Sequence, residues 1–325
     1  MSRRATSLVV FTGFLTLAAG VLIAQGPAPN PFVARFQALK LDVVTGDVPA
    51  YYSKGIARDI VASLAQRLDG CRSLYPEAGR PAFVLAVLHR QHWPQGVPPY
   101  GMPLSAGVPG AEPPYIIVVP ETVRDADPWL AGARDYLAKV VGEANQDRYF
   151  RLLALHELGH IILSGVLGPR DATPQTTAQV RQRFPFWYGE FVANYFAGNC
   201  YSLKADDAAL FRRFDAVAPI PGQKYTMLDD LDRVMADGRD TGRPYLMTEE
   251  GGLNLAAYEA LTGEMANRLR DAGFTAPRMI PLLRQQWARP GRQSTDDLLK
   301  DFTGAAPGLY EWLVQAGAVQ PPGKH

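Results

Sequence analysis

The chain has 325 residues, 47% hydrophobic and 10% aromatic, so it can bury the core of one large or two modest globular domains and is neither disordered nor collagen-like. Its 33 Lys and Arg against 32 Asp and Glu leave a formal charge of +1. That balance excludes the strongly basic surface that nucleic-acid binding needs, so we expect no nucleic-acid partner.

Residues 1–24 have the pattern of an export signal. Arg3 and Arg4 form a short basic region, and the stretch from Leu8 to Ala24 is mainly apolar. Leu22 is less favourable than a small residue for cleavage after Ala24, so an uncleaved N-terminal membrane anchor is the alternative. In both cases we expect the rest of the chain to be exported, to the periplasm or outside the cell, without a second membrane-spanning segment.

The sequence of residues 25–145 predicts a small portion that mixes α-helix and β-strand. It begins with an extended lead-in at 25–34 and includes a Pro- and Gly-rich loop at 93–114. Alternating or continuous apolar residues predict strands, and one stretch has helical spacing. The predicted strands are 39–44, 82–88 and 115–119, and the predicted helix is 56–68.

From residue 128 onward the pattern is helical. The predicted helices are 128–141, 147–167, 187–203, 206–217, 226–236, 253–272, 278–288, 295–303 and 308–316. Ser294 is the expected N-cap of the helix 295–303. Strands followed by helices indicate an α+β fold instead of an alternating doubly wound sheet.

Cys71 and Cys200 are the two cysteines of the chain. In an oxidising compartment they can form one disulfide, and two separate buried thiols are the alternative. Since no CxxC is present, a zinc ribbon or a thioredoxin-type site is excluded.

Residues 156–160 read His-Glu-Leu-Gly-His, an H-E-x-x-H sequence inside an apolar helical stretch. His156 and His160 lie one turn apart on one helix face, so their ring nitrogens can converge on one zinc ion. Glu157 lies beside that face and can serve as general base for a water that zinc activates. Two core histidines without a metal are the alternative, but Glu157 would then lack a reason to lie in so apolar a helix.

A catalytic zinc needs a third protein ligand. No other histidine follows the motif at metzincin spacing, so we expect a carboxylate on another helix. Glu190 is the one acid in the apolar aromatic run 186–197, where an unpaired carboxylate is costly. Asp171 is the competitor, in a loop where solvated turn residues are typical. Asn194, one turn past Glu190, can accept the free ring N–H of a ligand histidine, or it is an ordinary surface amide.

With His156, Glu157, His160 and Glu190 the chain resembles the gluzincins, zinc peptidases that join H-E-x-x-H to a glutamate on a following helix. The pattern Trp187-x-x-Glu190-x-x-Ala193 is similar to the glutamate helix of the peptidase MA-like group, and the same helix is similar to that of ImmA/IrrE-type peptidases. These motifs cover about residues 147–203. The resemblance implies zinc bound by the two histidines and Glu190, with Glu157 as general base.

The resemblance also implies a zincin-like fold, in which an edge strand of the sheet binds extended substrate backbone. The portion 25–145 would then hold the substrate-side sheet, 146–205 the zinc-site helices, and 206–325 a helical C-terminal portion. Gluzincins often add a Tyr or His that stabilises the oxyanion. The tyrosines after the motif are Tyr188, Tyr195, Tyr201, Tyr225, Tyr245, Tyr258 and Tyr310.

The sequence therefore predicts an exported zinc metallopeptidase that acts on a peptide or protein. One alternative is a binding or regulatory protein that keeps the zincin scaffold without effective catalysis. Another is a zinc hydrolase of a non-peptide amide or ester, because the same four residues would support that reaction.

Overall fold

A computed structural model describes residues 28–94, 100–168, 174–220, 223–230, 233 and 248–321. It has a small mixed sheet and a mainly helical remainder, so the predicted α+β class is confirmed. The predicted export signal at 1–24 lies outside the described residues.

The sheet has five strands in the order β2-β3-β4-β7-β5, and a separate parallel pair joins β1 to β6. The strands are β1 (Ala28–Pro29), β2 (Asp42–Val44), β3 (Ala50–Tyr52), β4 (Phe83–Leu88), β5 (Leu104–Gly107), β6 (Ala111–Glu112) and β7 (Tyr115–Pro120). The central strands β3, β4 and β7 are parallel, whereas β2 and β5 run antiparallel at the two edges. Every residue of β4 and β7 is buried, which explains their continuous apolar sequences.

Twelve α-helices have both ends within the described residues. They are α1 (Pro31–Ala38), α2 (Arg58–Ser73), α3 (Ala131–Val141), α4 (Glu143–Leu152), α5 (Ala154–Leu167), α6 (Pro174–Arg183), α7 (Phe186–Tyr201), α8 (Ala205–Asp215), α9 (Glu249–Asp271), α10 (Ala276–Ala288), α11 (Thr295–Thr303) and α12 (Leu309–Gln315). The predicted cap of α11 is present, since the Ser294 side chain accepts a hydrogen bond from the Asp297 backbone N–H. Of the predicted helix 226–236, residues 226–230 and 233 are described, and 228–230 and 233 are helical.

Three local predictions are wrong. The lead-in 25–34 contains the start of α1, because Asn30 caps the Phe32 backbone N–H and Pro31 occupies the first helical turn. The predicted loop 93–114 contains the edge strand β5, because the Pro and Gly residues around this short strand give the sequence the pattern of a loop. The helix 147–167 is two helices, α4 and α5, which meet at Leu153.

The helices α5 and α7 form the centre of the core. Both are buried on nearly every side, and α7 packs against both α5 and α9. The stretch 143–167 is long and apolar enough to cross a membrane, contrary to the expectation of no second such segment, but 78% of its apolar window is buried in the fold. One hydrophobic cluster extends from Val44 to Val319, so the three predicted portions share a core.

A disulfide joins Cys71 of α2 to Cys200 of α7, with their Cα atoms 5.0 Å apart and a sequence separation of 129. Of the two alternatives for the cysteines, the structure has the disulfide. The disulfide therefore links α2 covalently to the central helix α7.

The helices α5 and α7 approach each other closely at Gly159. A Cβ at this position would lie 2.8 Å from the Cα of Ala193, so no larger residue fits without moving a helix. We expect Gly159→Ala to lower the free energy of unfolding by about 1–3 kcal/mol, measured by urea denaturation. The control is Gly70→Ala in α2, where a Cβ meets nothing within 4 Å, and it should raise stability by up to about 1 kcal/mol. Equal effects of the two substitutions would contradict this packing.

Candidate metal centre

The two histidines of the motif lie on the face of α5 that meets α7. Their Nε2 atoms are 3.1 Å apart, as expected for imidazoles one helical turn apart that converge on one point. His156 is 4% exposed and His160 is partly exposed. The ring nitrogens therefore meet at a partly enclosed position and not in solvent.

Glu190 of α7 completes a group of three. Its Oε2 lies 3.1 Å from His156 Nε2 and 3.3 Å from His160 Nε2. Two ligand atoms about 2.0 to 2.1 Å from a tetrahedral zinc ion are separated by roughly 3.3 to 3.4 Å, so these spacings fit a common metal. The His156, His160 and Glu190 group could hold a metal ion. The competitor Asp171 lies outside the described residues.

The electrostatics of this group favour a cation. Burial alone would lower the pKa of His156, but the carboxylates of Glu259 and Glu190 raise it well above its ordinary value. Burial alone would raise the pKa of Glu190, but the charge of His160 and hydrogen bonds from both histidines hold it well below its usual range. The negative charge of the carboxylates must therefore be balanced, either by protons on the imidazoles or by a divalent cation.

Asn194 lies behind His156, as its position one turn after Glu190 predicts. His156 Nδ1 and Asn194 Oδ1 are 2.8 Å apart. The amide nitrogen of Asn194 donates to Glu259 Oε2 at 3.1 Å and to Thr262 Oγ1 at 2.9 Å, which orients its oxygen towards the histidine. His156 Nδ1 is then the protonated nitrogen, so the lone pair of Nε2 points to the candidate metal position.

Glu259 of α9 is a residue of the site that sequence reasoning missed. Its Oε2 lies 3.7 Å from His156 Nδ1, and burial raises its pKa to about 7. The sequence contains the same indication that identified Glu190, an acid in an apolar run, because Glu259 lies in Tyr258-Glu259-Ala260-Leu261. Nothing local in the sequence indicates that Glu259 contacts a histidine of the motif.

Glu157 does not join the ligand group and instead faces the edge strand β5. Ser105 Oγ of β5 donates a hydrogen bond to Glu157 Oε2 at 2.8 Å. This contact holds the carboxylate beside the candidate metal position, which is where a general base is needed. Ser105 also went unnoticed in the sequence, since the loop 93–114 concealed its strand.

A cavity of about 510 Å³ opens on these residues. Its wall includes the two histidines, Glu157, Glu190, Glu259 and Ser105, and the remainder is mainly apolar. Among the described tyrosines that follow the motif none lines this cavity, whereas Tyr149, which precedes it, does. Tyr245 lies outside the described residues.

Comparisons of the chain with protein families, with curated proteins and with solved structures gave no match. The resemblance to the gluzincins therefore rests on the motif residues, and the geometry above is independent of it.

We expect Asn194→Ala to weaken metal binding by about 10- to 100-fold, because His156 loses the group that fixes its tautomer and orientation. The measurement is a zinc titration against a chelator. The control is Asn199→Ala on the same helix, where the lost hydrogen bond is to the Tyr75 hydroxyl and not to the metal centre. That variant should be less stable but bind zinc normally. Unchanged affinity in Asn194→Ala would show that Asn194 plays no part in metal binding.

Proposed function

We propose that the protein is an exported zinc-dependent metallopeptidase. The proposal rests on one observation. The ligand atoms of His156, His160 and Glu190 converge with the spacing expected around a zinc ion, in a cavity that also contains Glu157. Two histidines and one carboxylate are a ligand set of catalytic zinc sites. Bound zinc would supply Lewis acidity, lowering the pKa of water and polarising a carbonyl.

Glu157 is the group that moves the proton. Its carboxylate accepts the proton of the attacking water and then delivers it to the leaving amine. The Ser105 hydrogen bond to Oε2 fixes the carboxylate and leaves Oε1 for this exchange. A binding or regulatory protein without catalysis would not need a carboxylate held in this position. Glu157 therefore favours the enzyme over the non-catalytic alternative.

The edge strand β5 supports a peptide as the substrate. Among the described residues it pairs with β7 alone, so its other side presents backbone N–H and C=O groups to an added strand. Since β5 packs beside α5 and its Ser105 contacts Glu157, an extended peptide paired with β5 would pass the candidate metal centre.

Export is supported by two independent features. The pattern of residues 1–24 is typical of an export signal, either cleaved or kept as a membrane anchor. The disulfide between Cys71 and Cys200 is a bond typical of oxidising compartments outside the cytosol.

Replacing Glu157 with Gln should lower kcat for a peptide by about 10²- to 10⁴-fold, because the amide cannot accept the proton of water. Zinc content should not change, since Glu157 is outside the ligand group. The measurement is peptide hydrolysis together with elemental analysis, with Glu311→Gln in α12 as the matched control. Full activity of Glu157→Gln would refute the mechanism. Hydrolysis of esters or small amides but of no peptide by the wild type would instead favour the non-peptide hydrolase.

A further inference from the structure

The cavity extends along the helix α5 on both sides of the two histidines. Its lining residues on α5 include Leu153, His156, His160 and Ser164, which are three or four positions apart and lie on one helix face. At a rise of 1.5 Å per residue, the stretch from Leu153 to Ser164 covers about 16 Å. The wall of the cavity therefore continues beyond the metal centre, where it can contact other groups of a bound peptide.

Arg181 of α6 is the one arginine or lysine among the described residues that line this cavity. It lies in the last turn of α6, a helix that packs against α5, α7 and the edge strand β5. Arg181 is exposed as well as lining the cavity, so a ligand can reach its guanidinium from solvent. The cavity thus has a permanent positive charge in its wall, on a helix that contacts the edge strand.

Arg181 has no partner of its own, in contrast to the arginine two positions later. Arg183 donates a hydrogen bond to the backbone oxygen of Arg289 and lies over the Trp287 ring, 4.5 Å from its centroid. Among the described residues, no hydrogen bond, ion pair or ring contact involves the Arg181 side chain. Residues two apart on a helix point to different sides, so Arg183 serves packing while the N–H donors of Arg181 are available to a ligand.

The negative charges of the cavity do not compensate Arg181. The three glutamates that line the cavity all have hydrogen-bond partners at the candidate metal centre. A divalent cation bound there would balance part of their charge. The positive charge of Arg181 therefore remains at its own wall, where it attracts an anionic group and repels a cationic one.

We infer that Arg181 binds a carboxylate of the substrate peptide near the cleaved bond. This inference rests on the proposed peptidase function. A planar guanidinium can hold a carboxylate through two parallel hydrogen bonds. That carboxylate belongs either to an Asp or Glu side chain or to the C-terminus of the peptide. The two sources present the same chemistry to Arg181, and the experiment below separates them.

The test uses peptides of one sequence that differ only in charge. The reference peptide is acetylated and amidated and has Gln at the positions flanking the cleaved bond. One series replaces each Gln in turn with Glu, and the other frees the C-terminal carboxylate at successive distances from that bond. We expect kcat/KM to rise about 5- to 20-fold in one series, with a smaller gain at high salt because salt screens exposed charges. No gain in either series would overturn the inference.

The variants assign the gain to Arg181. In Arg181→Gln the gain should fall to within about twofold of unity while zinc content is retained, because the positive charge and the paired donors are lost together. Arg213→Gln is the matched control, since Arg213 is also exposed in the last turn of its helix but does not line the cavity. It should keep the full gain. Arg181→Lys should keep part of it, because the charge remains and the paired donors do not. A gain that survives Arg181→Gln would overturn the inference.

A second readout separates this inference from the proposed function. Calorimetry on zinc-loaded Glu157→Gln should show the preferred carboxylate peptide binding about 5- to 20-fold more tightly than the reference peptide, with the difference lost when Arg181→Gln is added. Hydrolysis without any preference for a carboxylate would overturn the role of Arg181 and leave the peptidase. Preferential binding without hydrolysis by the wild type would overturn the peptidase and leave the carboxylate site.

Discussion

The contact between α5 and α7 determines the geometry of the candidate site. Gly159 of α5 lies against the backbone of Ala193 of α7. Gly159 lies between the two histidines in sequence, and Ala193 lies between Glu190 and Asn194. The ligand side chains thus extend from two helix backbones that lie in close contact. The glycine of the motif is a packing requirement as well as a spacer.

This arrangement places ionisable groups in a largely apolar core. An unpaired buried carboxylate is costly, and here Glu190 and Glu259 lie around two imidazoles, which are neutral when they act as metal ligands. A divalent cation bound to the histidines and Glu190 would supply the missing positive charge. Metal binding and stability should therefore be coupled, since the preformed ligand group exists only in the folded chain.

The chemistry of the site could be predicted where it is encoded locally. The histidines, Glu157 and Asn194 follow from helical spacing, and Glu190 follows from the cost of an acid in an apolar helix. Ser105 and Glu259 could not be assigned in this way, because their roles depend on contacts with residues 52 and 65 positions distant. The edge strand β5 is short and lies among Pro and Gly residues, so its alternation is too brief to be recognised. The strands β2, β4 and β7 were predicted, whereas β5 and the three-residue strand β3 were not, because each is too short to show a pattern of its own.

The central claim is that His156, His160 and Glu190 bind one zinc ion. The most direct measurement is elemental analysis of the purified protein after dialysis without chelator, with His160→Ala, Glu190→Ala and, as a control, His89→Ala. We expect about one zinc per chain in the wild type and in His89→Ala, and none in the other two variants. A wild type that contains no zinc and cannot be reconstituted would contradict the account, as would zinc retained in both ligand variants or iron bound in its place.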